Sequence, residues 1–178
     1  MGMLARLEAL YAELPEVACQ GKCQTCCGPI DMSPGERLRI RSQGVEIQPM
    51  TSARVRAWER QQKYDDEGEP LWCNALNLDT GLCEVYEIRP MICRLWGTGT
   101  GEMACPHGCK PTRRLSDIET MQFLLRAMAA GGGFTEAEYA RMQALFDDPE
   151  MARRTAEYME ADPETRQRMR DEMDGRLN

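Results

Sequence analysis

The sequence predicts a mainly α-helical fold with one short β-hairpin: a small, irregular, cysteine-rich domain over residues 1–112 and a helical region over residues 113–178. Three observations predict it. All nine cysteines lie between Cys19 and Cys109, so residues 110–178 carry no thiol. Helix starts recur as a Ser, Thr or Asp followed by Glu at the third position or directly by Pro. In that pattern a side-chain oxygen caps the first open N–H groups, and Pro sits where no donor is needed. Between Leu71 and Tyr86 two short apolar segments flank Asp79-Thr80-Gly81, whose Gly takes the positive φ of a tight turn.

Taken in order, Leu4, Leu7, Leu10, Tyr11 and Leu14 form one apolar stripe of a short helix that stops at Pro15. "SPGE" at 33–36 offers Ser33 as N-cap, Pro34 at the first helical position and Glu36 as capping-box partner, for a helix ending at Gly44. "TSARVRAWERQQ" at 51–62 reads as a further helix and "DDEGEP" at 65–70 as an exposed loop. The expected hairpin carries Cys73 and Cys83. Pro90 then starts a short helix presenting Cys93 and Arg94, and the chain loosens into "GTGTGEMACPHGC", with Cys105 and Cys109 on flexible backbone. Ser116 with Glu119, Thr135 with Glu138, and Asp162 with Pro163 mark later starts, predicting helices near 117–130, 136–147, 150–160 and 163–174.

Composition narrows the function. Charged residues make up 29% of the chain and only three Phe and three Trp are present, so the apolar surface available for a core is thin for 178 residues. The net charge of −7 argues against both a nucleic-acid partner and an anionic membrane surface, which need concentrated Lys and Arg. "MGMLARLEALYAELPE" lacks the unbroken apolar run of a secretory signal, no stretch is long and apolar enough to span a bilayer, and a cytoplasmic location is expected. Thiols stay reduced in that compartment, and nine cysteines cannot all pair within one chain. Metal ligation is therefore the leading explanation of the cysteine set.

That set reads Cys19-x3-Cys23-x2-Cys26-Cys27, then Cys73-x9-Cys83-x9-Cys93, then Cys105-x3-Cys109. Two or three intervening residues let neighbouring thiolates converge on one ion, and four of them close a tetrahedron. Adjacent Cys26 and Cys27 are harder to bring to one ion, because successive side chains diverge. Zinc and iron, including an iron–sulfur cluster, both accept four thiolates, and the spacing leaves the choice and the number of sites open.

Through "CQGKCQTCC" and "GLCEVYEIRPMICR" the chain resembles the YkgJ-type cysteine-cluster family of zinc- or iron-chelating domains, over roughly residues 19–105. Carried over position by position, the resemblance implies Cys19, Cys23, Cys26, Cys27, Cys73, Cys83, Cys93 and Cys105 as ligands. Cys109 lies beyond the motif and completes the candidate set. His107, between Cys105 and Cys109, is expected to belong to a turn. Arg89 and Arg94 are candidate donors to the thiolates, and Tyr86 and Trp96 are expected to pack around the metal.

The expected function is metal binding through the clustered cysteines, with no reaction assigned. An iron–sulfur redox or protein-modifying enzyme is the first alternative. Cys19-x3-Cys23-x2-Cys26 has the spacing of radical S-adenosylmethionine enzymes, but too little chain follows it for their barrel, and a fourth cysteine intervenes. The resemblance also extends to a domain of the flagellin lysine methylases. The second alternative is an adaptor that binds a protein partner through Met121, Met128, Met142, Met151, Met159, Met169 and Met173, which recur along the C-terminal helices and otherwise serve helix packing.

Overall fold

A computed structural model describes residues 1–19, 27–48, 50–100, 103–162, 164–165 and 168–169 of the chain. It is mainly helical, as the capping signals predict. Helix α1 spans Met3–Tyr11, α2 Pro34–Arg41, α3 Ser52–Glu59, α4 Met91–Leu95, α5 Asp117–Ala130, α6 Glu136–Asp147 and α7 Pro149–Glu160, and a 3-10 turn lies at Tyr86–Ile88. Full capping boxes start α2, α5 and α6, at Ser33 with Glu36, Ser116 with Glu119 and Thr135 with Glu138. Thr51 caps α3 and Asp148 caps α7. Pro163 and most of the helix expected over 163–174 lie outside the described residues.

The β-hairpin expected around Asp79-Thr80-Gly81 does not form. Leu76 and Cys83 make one isolated antiparallel bridge, and no strand occurs among the described residues. The turn itself is present: Gly81 has φ +70°, its N–H donates to Asn77 O at 2.8 Å, and the Asn77 side-chain oxygen accepts from the N–H of Asp79 and Thr80. On either side the ladder is too short. Asn77 N–H reaches Leu82 O and Glu84 N–H reaches Ala75 O, but Leu76 N–H already turns back to Cys73 O, and Tyr86 enters the 3-10 turn. Both arms coil before a second pair of residues can register.

Two apolar clusters organise the helices. In the first, Leu7, Leu10 and Tyr11 of α1 meet Met91 and Leu95 of α4 and Leu115, Phe123 and Ala127 at and within α5. Leu4, the remaining early member of the α1 stripe, is 48% exposed. The second cluster gathers Ile30, Met32, Ile40, Ile47, Ala75 and Val85, with Cys73, Cys83 and Cys93 packed against it. Three cysteines thus pack against one apolar cluster, Cys73 and Cys83 from irregular chain and Cys93 from α4.

The junction between α2 and the end of α5 is tight. Gly35 N–H donates to Gly131 O at 2.8 Å, and a Cβ at Gly131 would lie 2.0 Å from Ser33 Oγ. Both atoms belong to fixed parts of the structure, so neither yields cheaply. Gly131→Ala is expected to disrupt the Ser33 cap and lower stability by about 2–3 kcal/mol, as overpacking does. A melting temperature unchanged from the parent would show that the α2–α5 junction is looser than described.

Candidate metal centre

Chain geometry brings distant cysteines to one cleft. Cys27 O accepts from Cys73 N–H at 2.6 Å, which joins the end of the first cysteine run to the start of the second. Gly28 lies under the Trp58 indole of α3, where a Cβ would come within 2.7 Å of the ring. Only Gly allows that approach, and it anchors the segment just after Cys27. Cys83 follows the Asn77–Leu82 turn, and Cys93 projects from α4.

The result is a cleft of about 620 Å³ lined by Cys19, Cys27, Cys73, Cys83 and Cys93. Cys19 is exposed and the other four are half-buried. Cys23 and Cys26, of the same run as Cys19 and Cys27, lie outside the described residues. Among the described residues no three Cys, His, Asp or Glu side chains are grouped closely enough to hold an ion. The five described thiols share one cavity.

Aromatic and cationic side chains complete the walls. The Tyr86 hydroxyl and the Cys19 thiol are hydrogen-bond partners. Burial, together with Cys19, raises the Tyr86 pKa against the pull of Arg89. Tyr86 is 39% exposed, so the role read from sequence, packing around the metal, gives way to a polar contact with a candidate ligand. Arg89 stacks over the Tyr86 ring at 3.5 Å and donates its Nε to Tyr86 O. Arg94 lies over the Tyr11 ring at 4.4 Å and donates to Arg89 O and Glu87 O. Burial, and then the nearby Arg89 and Arg39, lower its pKa. Both arginines line the cleft, where their charge would offset that of thiolates. The indole Nε1 of Trp96, also on the cleft wall, is buried with no hydrogen-bond partner among the described residues.

Cys105 and Cys109 do not line this cleft. They flank a turn in which Gly108 has φ +75° and donates to Cys105 O, and Cys109 is buried at 8% exposure. Burial raises the Cys105 thiol pKa, but backbone N–H groups of His107, Cys109 and Gly108, with the Cys109 thiol, outweigh it and hold the thiol below its ordinary range. His107 contributes its backbone N–H to this turn while its side chain is exposed.

The donor set fits a soft, thiophilic metal: five thiols on one cavity, cations beside them, and a buried indole donor in need of an acceptor. Sequence reasoning missed the wall residues Tyr11 and Leu14, whose spacing along the expected first helix reads as core. A model of the family described as "CxxCxxCC: Putative zinc- or iron-chelating domain" matches residues 18–110, more than half of the chain. The chain's own run has three residues, not two, between its first two cysteines. No curated protein and no solved structure matches the chain. No helix among the described residues is long and apolar enough to cross a membrane.

Proposed function

We propose that this chain, which belongs to the CxxCxxCC family, binds zinc or iron through the thiolates of Cys19, Cys27, Cys73, Cys83 and Cys93, with Cys23 and Cys26 of the same run as further ligands. The observation that carries this reading is the arrival of cysteines from three sequence-distant segments at one cleft beside Arg89 and Arg94. Bound there, the metal supplies a cross-link between those segments, and as an iron–sulfur cluster it would also supply electron transfer. The protein's part is to deprotonate and gather the thiols. The two arginines offset their charge, and the half-buried Leu14 and Trp96 add apolar surface to the wall.

A second reading, an iron–sulfur cluster in place of a single ion, draws on the size of the cleft. A single tetrahedral ion, with metal–sulfur distances of about 2.3 Å, needs little of such a volume, whereas a polynuclear cluster uses more of it.

Anaerobic purification followed by metal analysis and an absorption spectrum tests both. About one or two equivalents of tightly held metal are expected, because so many thiolates would otherwise remain a reactive and poorly folded group. A colourless protein containing zinc supports the four-thiolate site, and a brown one absorbing near ~400 nm supports the cluster. Folded, metal-free protein with every thiol titratable would end the proposal.

A further inference from the structure

We propose that Glu36, on α2, is the positioning residue of the cleft, because one of its carboxylate oxygens fixes both the backbone of α4 and the ring on which Arg94 rests. This inference rests on the thiolate reading of the cleft. Glu36 was expected from sequence only as a capping-box partner. The described residues contain three such boxes, and comparison among them separates the local role from the additional one.

In all three boxes the same kind of contact recurs: Oε2 of Glu36, Glu119 and Glu138 accepts from the backbone N–H and the hydroxyl of its cap residue. Glu119 turns its other oxygen to Arg113 at the surface, and Glu138 is exposed. Glu36 is 2% exposed, and its Oε1 accepts from the Tyr11 hydroxyl at 2.8 Å and from the Met91 N–H at 2.6 Å. Those donors lie 25 and 55 residues away in sequence. Each carboxylate oxygen thus holds two donors, as many as its lone pairs accept. A buried carboxylate so fully bonded is tolerated where an unpaired one is not.

The consequence falls on α4. This helix has five residues, too few to persist alone, and Pro90 at its N-cap makes no side-chain cap. Glu36 supplies the missing acceptor from another helix. Two residues after Met91 comes Cys93, and after it Arg94, whose guanidinium lies over the Tyr11 ring. Burial and the adjacent Glu36 carboxylate raise the Tyr11 pKa far above its usual range, so Tyr11 remains a donor to Oε1 across the working pH range. Backbone, ring and guanidinium are aligned from one oxygen atom.

Glu36→Gln separates these contacts with little change in shape. An amide has one acceptor and one donor end, so either Ser33 N–H or Met91 N–H is left facing an NH2 group. The full-length chain is compared as wild type, Glu36→Gln and Leu125→Ala, the last removing a buried side chain outside both apolar clusters. Metal release to a chromogenic chelator is followed at a fixed interval below each variant's own melting temperature. In parallel, the protein as purified is treated with iodoacetamide, and alkylation is read cysteine by cysteine.

The expected result is release at least about ten-fold faster in Glu36→Gln than in Leu125→Ala, a change of about 1.4 kcal/mol or more. Cys93 should also alkylate several-fold faster than in wild type, with Cys109 unaffected. Equal release from the two variants at matched intervals, or an unchanged Cys93 rate, overturns the proposal and leaves Glu36 a purely structural group. If wild type carries no metal, the thiolate reading fails, and the alkylation rates still decide whether Glu36 positions α4. Should Glu36→Gln not fold, Tyr11→Phe removes one of the two Oε1 donors and must still accelerate Cys93 alkylation for the inference to stand.

Discussion

Replacing Cys83 or Cys93 by Ser is expected to strip the protein of metal and unfold it near room temperature, whereas Cys109→Ser is expected to keep its metal and to lose only several degrees of melting temperature. Cys83 and Cys93 line the cleft and pack against the cluster of Ile30, Met32, Ile40 and Val85. They reach it from different segments, so a metal bound to both adds a cross-link to the apolar packing that already joins them. A structural zinc contributes roughly 10–16 kcal/mol to folding, and losing one of its thiolates forfeits several of these, comparable with the whole stability of an ordinary domain at about 5–15 kcal/mol. Cys109 is buried but stands in the Cys105–Gly108 turn, away from the cleft lining. A hydroxyl there costs about 1–3 kcal/mol at most. Thermal unfolding with metal analysis on the three variants decides the matter. If Cys109→Ser sheds metal as readily as Cys93→Ser, the Cys105–Cys109 turn belongs to the site and the cleft alone does not define it.

Legibility of this fold in the sequence followed the range of the interactions. Capping is local, within three residues, and Ser33, Ser116 and Thr135 marked their helices correctly. The turn at Asp79-Thr80-Gly81 was equally local and is present, but strands require a partner over several residues. Here Leu76 N–H bonds to Cys73 O and Tyr86 begins a 3-10 turn, so the arms never pair. For the candidate site, residue type was legible and placement was not. Nothing in the spacing distinguishes Cys93, on the cleft, from Cys105, outside it, because α4 is oriented by Glu36 across 55 residues of sequence. Tyr11 reads as core because its neighbours Leu7 and Leu10 are core, although its ring also forms a wall of the cleft. Cys23 and Cys26 remain predictions of the sequence alone.

Truncation carries the other large expected effect. The absence of thiols after Cys109 suggested a division between residues 112 and 113, yet α5 supplies Phe123 and Ala127, with Leu115 just before it, to the cluster that holds α1 and α4. Removing residues 113–178 would uncover Leu7, Leu10, Met91 and Leu95 together. Deleting a single buried Leu or Phe side chain costs about 2–5 kcal/mol, so losing several exceeds the margin of a typical domain. We therefore expect a chain ending at residue 112 to be unfolded and unable to retain metal. A chain ending at residue 133 should behave differently, since no described residue beyond Gly131 is buried and α6 buries none of its own. It keeps the Gly35 to Gly131 bond and both apolar clusters. Its metal content should match the full chain, with stability lowered only by exposure of the α5 face on which α6 and α7 pack. A 1–112 fragment that folds and holds metal would instead establish the cysteine-rich part as self-sufficient, with α5 an addition to a core already complete.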